Sequence, residues 1–331
     1  MTLTLTTCLL FLFPLLISAH PTSRATTVTS TSKAGLAGGG DMAQFQKTGK
    51  VSWYYTWGLS SGEDTDLEFV PMLWGQKDVA GWTDPNNGIN ATIAARKPTA
   101  ILGMNEPQEK GQSNLTPQQG ADMWKTYLEP LRAQGIRLGS PAPSSAPSGK
   151  TWIQDFLTAC AGGCTVDFIA LHWYDVNATH FINYLNDFHS TFNLPIWVTE
   201  WACQNFNNGP QCTAPDIALL LNQTQAFMDS QDWVERYAWY GTMRVGDLNI
   251  NSLDAMLTND GKLNDLGEQY IGAEAPKTSG ASPIGTGTGG ARPTGSGGGG
   301  LPGLPGNADS YSSSWLKTCF ALVAVTLFQL F

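Results

Sequence analysis

The sequence predicts an α/β fold, a single (β/α)8 barrel of the TIM type, and three observations point to it. Short runs that are apolar on both faces recur along the chain, most of them separated by helical or turn-rich segments. A parallel sheet covered by helices requires that alternation. Between two low-complexity ends lie about 235 residues, 41–275, a length that suits one large core and a closed barrel better than a doubly wound sheet. Two of the apolar runs end abruptly on a glutamate, where barrel enzymes carry their catalytic groups.

Taken in order, the runs are KVSWYYTWG, EFVPMLWG, TAILGMNE, IRLGS, DFIALHWY, LPIWVTEW and RYAWYG, which makes seven strands. The eighth is either QKDVAGW or DAMLT, and the pattern does not choose between them. Among the intervening helices, TPQQGADMWKTYLEPLRAQG opens on Thr116 as N-cap with Pro117 in first position and stops at Gly135. It shows Ala121, Trp124, Leu128 and Leu131 at helical spacing. APDIALLLNQTQAFMDS reads as another helix.

Outside the barrel the composition changes. Residues 1–19 carry an apolar run of signal-peptide length ending at Ala19, and residues 20–40 are a Ser-, Thr- and Gly-rich linker. Residues 276–309 form a Gly-, Pro- and Ser-rich stalk. The segment 310–331 then runs apolar to Phe331 behind small residues, the order of a GPI-attachment signal. Asn307 is the expected attachment residue, with Gly306 next; a C-terminal transmembrane helix is the alternative. These ends predict an extracellular protein tethered to the plasma membrane at the cell surface or wall.

The formal net charge of -9 argues against nucleic acid as a partner. Four sequons, at Asn90, Asn114, Asn177 and Asn222, suit a secreted surface. Of the six cysteines, Cys160, Cys164, Cys203 and Cys212 fall in the barrel, an even set that suggests disulfides. Three pairings are open, and proximity favours Cys160 with Cys164 and Cys203 with Cys212. No Cys-x2-Cys pair or nearby His pair supports zinc, so neither metal nor cofactor is expected, and the expected state is a monomer.

Glu106 closes the third run and Glu200 the sixth, so a closed barrel points both into one mouth. Glycoside hydrolysis needs such a pair, one carboxylic acid to protonate the leaving oxygen and one carboxylate to attack the anomeric carbon or activate water. His172 and Tyr174, on the run between them, are placed to hydrogen-bond and orient the carboxylates; the competing reading makes His172 a core histidine. Eleven of the 12 tryptophans fall in the barrel, and Trp57, Trp74, Trp173, Trp201 and Trp239 stand at or near strand ends. An aromatic face can bury the apolar face of a pyranose, and Trp239 and Trp201 are the first candidates, with Trp57 and Trp74. GLSSG matches a serine-nucleophile elbow but lacks the helix that must follow, and GTGTGG matches a dinucleotide fingerprint inside the stalk; neither carries function.

GMNEP and WVTEW, with LHWY between them, resemble the signature segments of clan A glycoside hydrolases, and in particular the mainly fungal endo-β-1,3-glucanases of glycoside hydrolase family 128. VSWYYTWG, VPMLWG, ILGMNEP and DFIALHWY read like strands of that family, so the resemblance spans roughly residues 51–261. It implies β-1,3-glucan as substrate, Glu106 as general acid/base, Glu200 as nucleophile of a retaining mechanism, and Asn105 as a ligand for a sugar hydroxyl. The chain departs from the clan in two ways. The clan's glutamates close strands four and seven whereas these close runs three and six, and no arginine lies between Arg24 and Arg96 to fill the place of the clan's strand-two arginine. A non-catalytic wall-binding or adhesive protein and a glucan transglycosylase are the alternative functions.

Overall fold

The computed structural model describes residues 32–38 and 40–273. The signal segment, the linker before residue 32, the stalk, and the attachment signal with Asn307 lie outside the described residues. Eight parallel strands are present: β1 Ala34–Ala37, β2 Val51–Tyr55, β3 Glu68–Phe69, β4 Ala100–Leu102, β5 Arg137–Gly139, β6 Ile169–Asp175, β7 Ile196–Cys203 and β8 Val234–Trp239. Six of them pair in the order β3-β2-β1-β8-β7-β6, and β4 pairs with β5. Backbone bonds close the ring on both sides of that pair. Leu102 donates to Pro71 O (2.9 Å) and accepts from Leu73 N (3.1 Å), while Leu138 O accepts from Asp167 N and Phe168 O from Ser140 N, each at 2.9 Å.

The missing strand is therefore the first, AGLA, and it falls inside the stretch expected to be linker. Neither proposed eighth strand exists. Gln76–Asp78 is a turn of 3-10 helix leading into the short helix α1, Val79–Trp82, and the DAMLT stretch is loop. AGLA looks like linker because its side chains are small, and they are small because the barrel interior leaves no room: a Cβ on Gly35 would stand 2.2 Å from the Trp53 ring. Just before it, the buried Lys33 donates its ammonium to the carbonyls of Met228 (3.0 Å), Asp229 (3.3 Å) and Gln231 (2.8 Å) at the end of a later helix. A cation there suits the negative end of the helix dipole and pins β1 to the barrel floor.

Strand alternation sorts the side chains into two cores. Trp53, Tyr55, Phe168, Ala170, Trp197 and Ala238 belong to one cluster, the barrel interior. Their neighbours Tyr54, Ile169, Leu171, Val198, Tyr237 and Trp239 belong to the layer under the helices. The interior is packed solid at its floor, where the Arg236 guanidinium stacks 4.5 Å from the Trp197 ring and pairs with Glu68. Any opening must therefore lie at the strands' C-terminal end.

The covering helices are α2 Ile89–Arg96, α3 Pro117–Met123, α4 Pro147–Cys160, α5 Ala178–Phe192, α6 Ala214–Ser230 and α7 Asp265–Tyr270. Thr116 caps α3 through a capping box with Gln119, and Gly135 ends its continuation at φ 79°, as the sequence predicts. Between them the winding is irregular, π-like over Trp124–Leu128 and 3-10 over Glu129–Gln134, because Pro130 cannot donate to the preceding turn. Both disulfides are the local ones, Cys160–Cys164 and Cys203–Cys212. Asn90, Asn114 and Asn177 are exposed and Asn222 half-buried, while Thr224 of the last sequon is a core residue bonded to Trp201 Nε1 at 3.1 Å. Among the described residues no helix is long and apolar enough to cross a membrane.

Candidate active site

With β1 counted, Glu106 follows β4 and Glu200 lies in β7, which removes the offset in strand number. Each glutamate reaches the mouth through a local irregularity. Glu106 has φ 38°, a left-handed conformation that costs a non-glycine residue on the order of 1–3 kcal/mol and must be imposed by its surroundings. Pro107 disfavours the ordinary helical alternative, and Glu106 N is tied to Ala142 O at 2.7 Å. In β7 the register slips, so that Val198 faces Leu171 but Glu200 faces His172; the bulge at Thr199 turns Glu200 inward.

Both carboxylates are buried, Glu106 9% and Glu200 6% exposed, beside the fully buried His172. His172 Nδ1 lies 2.9 Å from Glu106 Oε1 and 3.4 Å from Glu200 Oε2. One atom of each of the three residues lies within 4.8 Å of the others. Burial pushes the imidazole pKa down, but the Glu200 charge and the bond and charge of Glu106 outweigh it and hold the pKa above the ordinary histidine value. The ring's Nδ1 thus stands within reach of both carboxylates. Such a trio is also close enough to ligate a metal ion, but its one nitrogen that faces the carboxylates is already engaged with Glu106, so that hydrogen bond accounts for the geometry.

Glu200 accepts from Trp57 Nε1 (2.7 Å) on one oxygen and from Tyr174 Oη (2.5 Å) on the other, while Tyr55 Oη, which donates to Thr199 O at 2.9 Å, stands 3.4 Å from the first oxygen. Neutral donors of this kind hold the carboxylate without quenching its charge. Burial first, and then the Glu200 charge, raise the Tyr55 and Tyr174 pKa values well above the usual tyrosine value, so both phenols stay protonated donors. Tyr240, its hydroxyl on Asn249 Oδ1 at 2.7 Å, is pushed up to about 12 by burial and the same charge. Trp57 is itself left-handed at φ 58°, a second strained residue at the mouth.

Asn105 is buried and donates to Gln112 Oε1 at 3.1 Å, leaving its Oδ1 without a partner. His172 Nε2 is likewise unpartnered. Buried polar atoms of this kind are costly unless a ligand satisfies them. Trp57 and Trp74 are half-buried at the rim, and the Lys77 ammonium sits 3.4 Å over the Trp74 ring.

Trp201 and Trp239 are corrected: both are fully buried and neither faces the mouth. Strand alternation is the reason, since Trp201 follows the inward Glu200 and Trp239 the inward Ala238, so both point out under the helices. There Trp201 bonds Thr224 and Trp239 donates to Asp254 O at 3.0 Å. Trp173 points the same way, against Phe181. The sequence reading missed Tyr55 and Tyr240. Tyr55 was findable, because 53, 55 and 57 share one face of β2 and its extension.

The geometry can be set beside known proteins. The family model described as Glycosyl hydrolase catalytic core matches residues 33–270. Alkali-sensitive linkage protein 1 of Schizosaccharomyces pombe is 31% identical over 225 residues, 67% of this chain; the chain spans only 40% of that protein's length. Among solved structures, a family 128 (subgroup III) curdlan-specific exo-β-1,3-glucanase from Blastomyces gilchristii is 30% identical with a TM-score of 0.60, covering 72% of this chain and 97% of its own. A subgroup II endo-β-1,3-glucanase from Sorangium cellulosum is 27% identical with a TM-score of 0.61, covering 73% and 98%. A subgroup VII oligosaccharide-binding protein from Cryptococcus neoformans is 27% identical with a TM-score of 0.60, covering 76% and 96%. With one glutamate just after strand four and one within strand seven of an eight-stranded barrel, and with these matches over most of its length, the chain belongs to glycoside hydrolase family 128.

Proposed function

We propose that this protein is a retaining endo-β-1,3-glucanase, secreted and held at the cell surface by a GPI anchor, acting on cell-wall glucan. The observation that carries the enzyme reading is the mouth itself, where Glu106 and Glu200 share one buried histidine and Glu200 is held by Trp57 and Tyr174. Glu106, in its protonated form, gives its proton to the glycosidic oxygen as the bond from that oxygen to the anomeric carbon breaks, and Glu200 attacks that carbon. Water then attacks the glycosyl-Glu200 ester, giving its proton to Glu106 and releasing Glu200.

Retention is supported by the close approach of the two carboxylates, since the trio's atoms lie within 4.8 Å of one another. A retaining pair stands about 5–5.5 Å apart, whereas an inverting pair needs about 6.5–9.5 Å to admit water. The linkage rests on family membership, and the endo mode on the resemblance to the family's endo-acting members, of which the Sorangium cellulosum neighbour is one. The binding-only alternative is supported by the Cryptococcus neoformans neighbour. Both carboxylates being in place, one of them in a strained backbone, favours the enzyme. The test is incubation of the protein with laminarin, curdlan and cellulose, with proton NMR of the first products. Internal cleavage of laminarin to β-anomeric oligosaccharides, with little attack on cellulose, is expected; α-anomers would refute retention, and equal rates on laminarin and cellulose would refute the substrate assignment.

The surface location rests on the order of segments at the two ends of the sequence. Phosphatidylinositol-specific phospholipase C should release the protein from cells. A released or membrane-bound form that still carries the Trp315 to Phe331 peptide by mass spectrometry would show an ordinary membrane anchor instead.

A further inference from the structure

Four aromatic rings run outward from Glu200. Trp57 donates to one carboxylate oxygen and meets Tyr240 edge-on with ring centroids 5.9 Å apart. Tyr240 meets Tyr174 at 5.8 Å, and Tyr174, whose hydroxyl holds the other oxygen, meets Phe206 at 5.5 Å, again edge to face. The first three rings are half-buried, while Phe206 is 58% exposed. Among the described residues the other exposed large apolar side chains are the aliphatic Val176, Leu219 and Leu253, so Phe206 is the aromatic one and the one that continues this row.

Phe206 stands on a loop that is built to hold it. Cys203–Cys212 ties the loop's two ends together. Inside, Asn205 N donates to Gln211 Oε1 (2.9 Å), Gln211 Nε2 returns to Asn205 O (2.7 Å), and Asn205 Oδ1 accepts from Asn207 N (2.7 Å). At the loop's base Cys203 N bonds the buried Asp254 at 3.1 Å. A ring presented on so well ordered a loop, touching Tyr174 by one edge and otherwise left in water, gains more when an apolar ligand face covers it.

We infer that Phe206 is a sugar-binding platform, taking the apolar face of a β-linked glucose unit adjacent to the unit that reacts at Glu200. The inference rests on the β-1,3-glucan reading and adds a residue that determines affinity and chain-length preference. Phe206 does not touch the reacting atoms, so its loss acts on binding. Its exposure makes truncation harmless to the core, which separates a binding effect from an unfolding one.

The test compares the parental protein with Phe206→Ala and Phe206→Trp, using calorimetric binding of laminarihexaose and cellohexaose to proteins also carrying Glu106→Gln, and hydrolysis by proteins with Glu106 intact. Phe206→Ala is expected to weaken laminarihexaose binding about tenfold and to raise KM in proportion, with kcat within about twofold, an unchanged melting temperature and recovery in Phe206→Trp. Unchanged affinity in Phe206→Ala while the parent binds would overturn the platform and leave the enzyme reading standing. A parent that binds but never hydrolyses would overturn the enzyme reading, and weakening by Phe206→Ala would still uphold the platform. A parent that binds neither hexasaccharide would sink both.

Discussion

Glu200→Gln is expected to abolish laminarin hydrolysis, and Glu106→Gln to slow it by about 10² to 10⁴-fold, the usual worth of a positioned proton donor. The two losses differ in kind. Without Glu200 no glycosyl-enzyme forms, whatever the leaving group. Without Glu106 the leaving oxygen departs unprotonated, so an activated aryl β-glucoside, whose leaving group needs no proton, should keep a near-parental first step. Glutamine preserves shape, and at position 200 its one amide oxygen can still accept from Trp57 or from Tyr174, so folding should survive in both variants. The measurement is kcat on laminarin and on an aryl glucoside for each variant. Parental turnover of laminarin by either one would remove the glutamates from catalysis.

The pair of mouth glutamates was legible because its signal is a break in pattern: an apolar run that ends on a charge needs a reason, and Glu106 and Glu200 shared one. The barrel was legible for a related cause, since runs apolar on both faces have few other uses. What could not be read is informative. AGLA hid as linker because its smallness is dictated by a partner, Trp53, that stands beside Gly35 on the neighbouring strand β2, and sequence periodicity holds no record of a neighbour's bulk. Missing it shifted the strand count by one and made the chain look like an offset member of its clan.

Trp201 and Trp239 were misplaced for the opposite reason, as local information was available and outvoted by residue type. A tryptophan next to a catalytic glutamate invites a sugar-stacking role, but alternation along β7 sends neighbours to opposite faces. The same rule assigns Tyr55 to the mouth. Phe206 had no such signal: its place depends on a disulfide-closed loop and on a ring, Tyr174, supplied by another strand. Register slips such as the one at Thr199 belong to the same class, being set by pairing with β6 and β8 and absent from the sequence of β7 alone.

Asp254 carries the second large effect, this one on stability. Its side chain is fully buried; one oxygen accepts from Cys203 N and the other has no partner, and burial raises its pKa to about 8. An unfolded aspartate titrates near pH 4, so unfolding at neutral pH frees a proton that the fold must otherwise hold. The sign follows from that difference: the native state loses nothing below about pH 4, loses stability steadily as pH rises toward 8, and then levels off. One pKa unit corresponds to about 1.4 kcal/mol, so the cost at pH 7 is on the order of 4 kcal/mol. Asp254→Asn keeps the carbonyl that Cys203 uses and removes the titration. It should raise the melting temperature at pH 8 by about 5 °C or more and change it little near pH 4, the gap opening progressively between. Thermal unfolding of both proteins across pH 4–9 measures this directly. A pH-independent offset would show that the carboxylate titrates normally in the fold, whereas the expected divergence would mean that alkaline pH strains the base of the loop that presents Phe206, because the group that charges is the one bonded to Cys203.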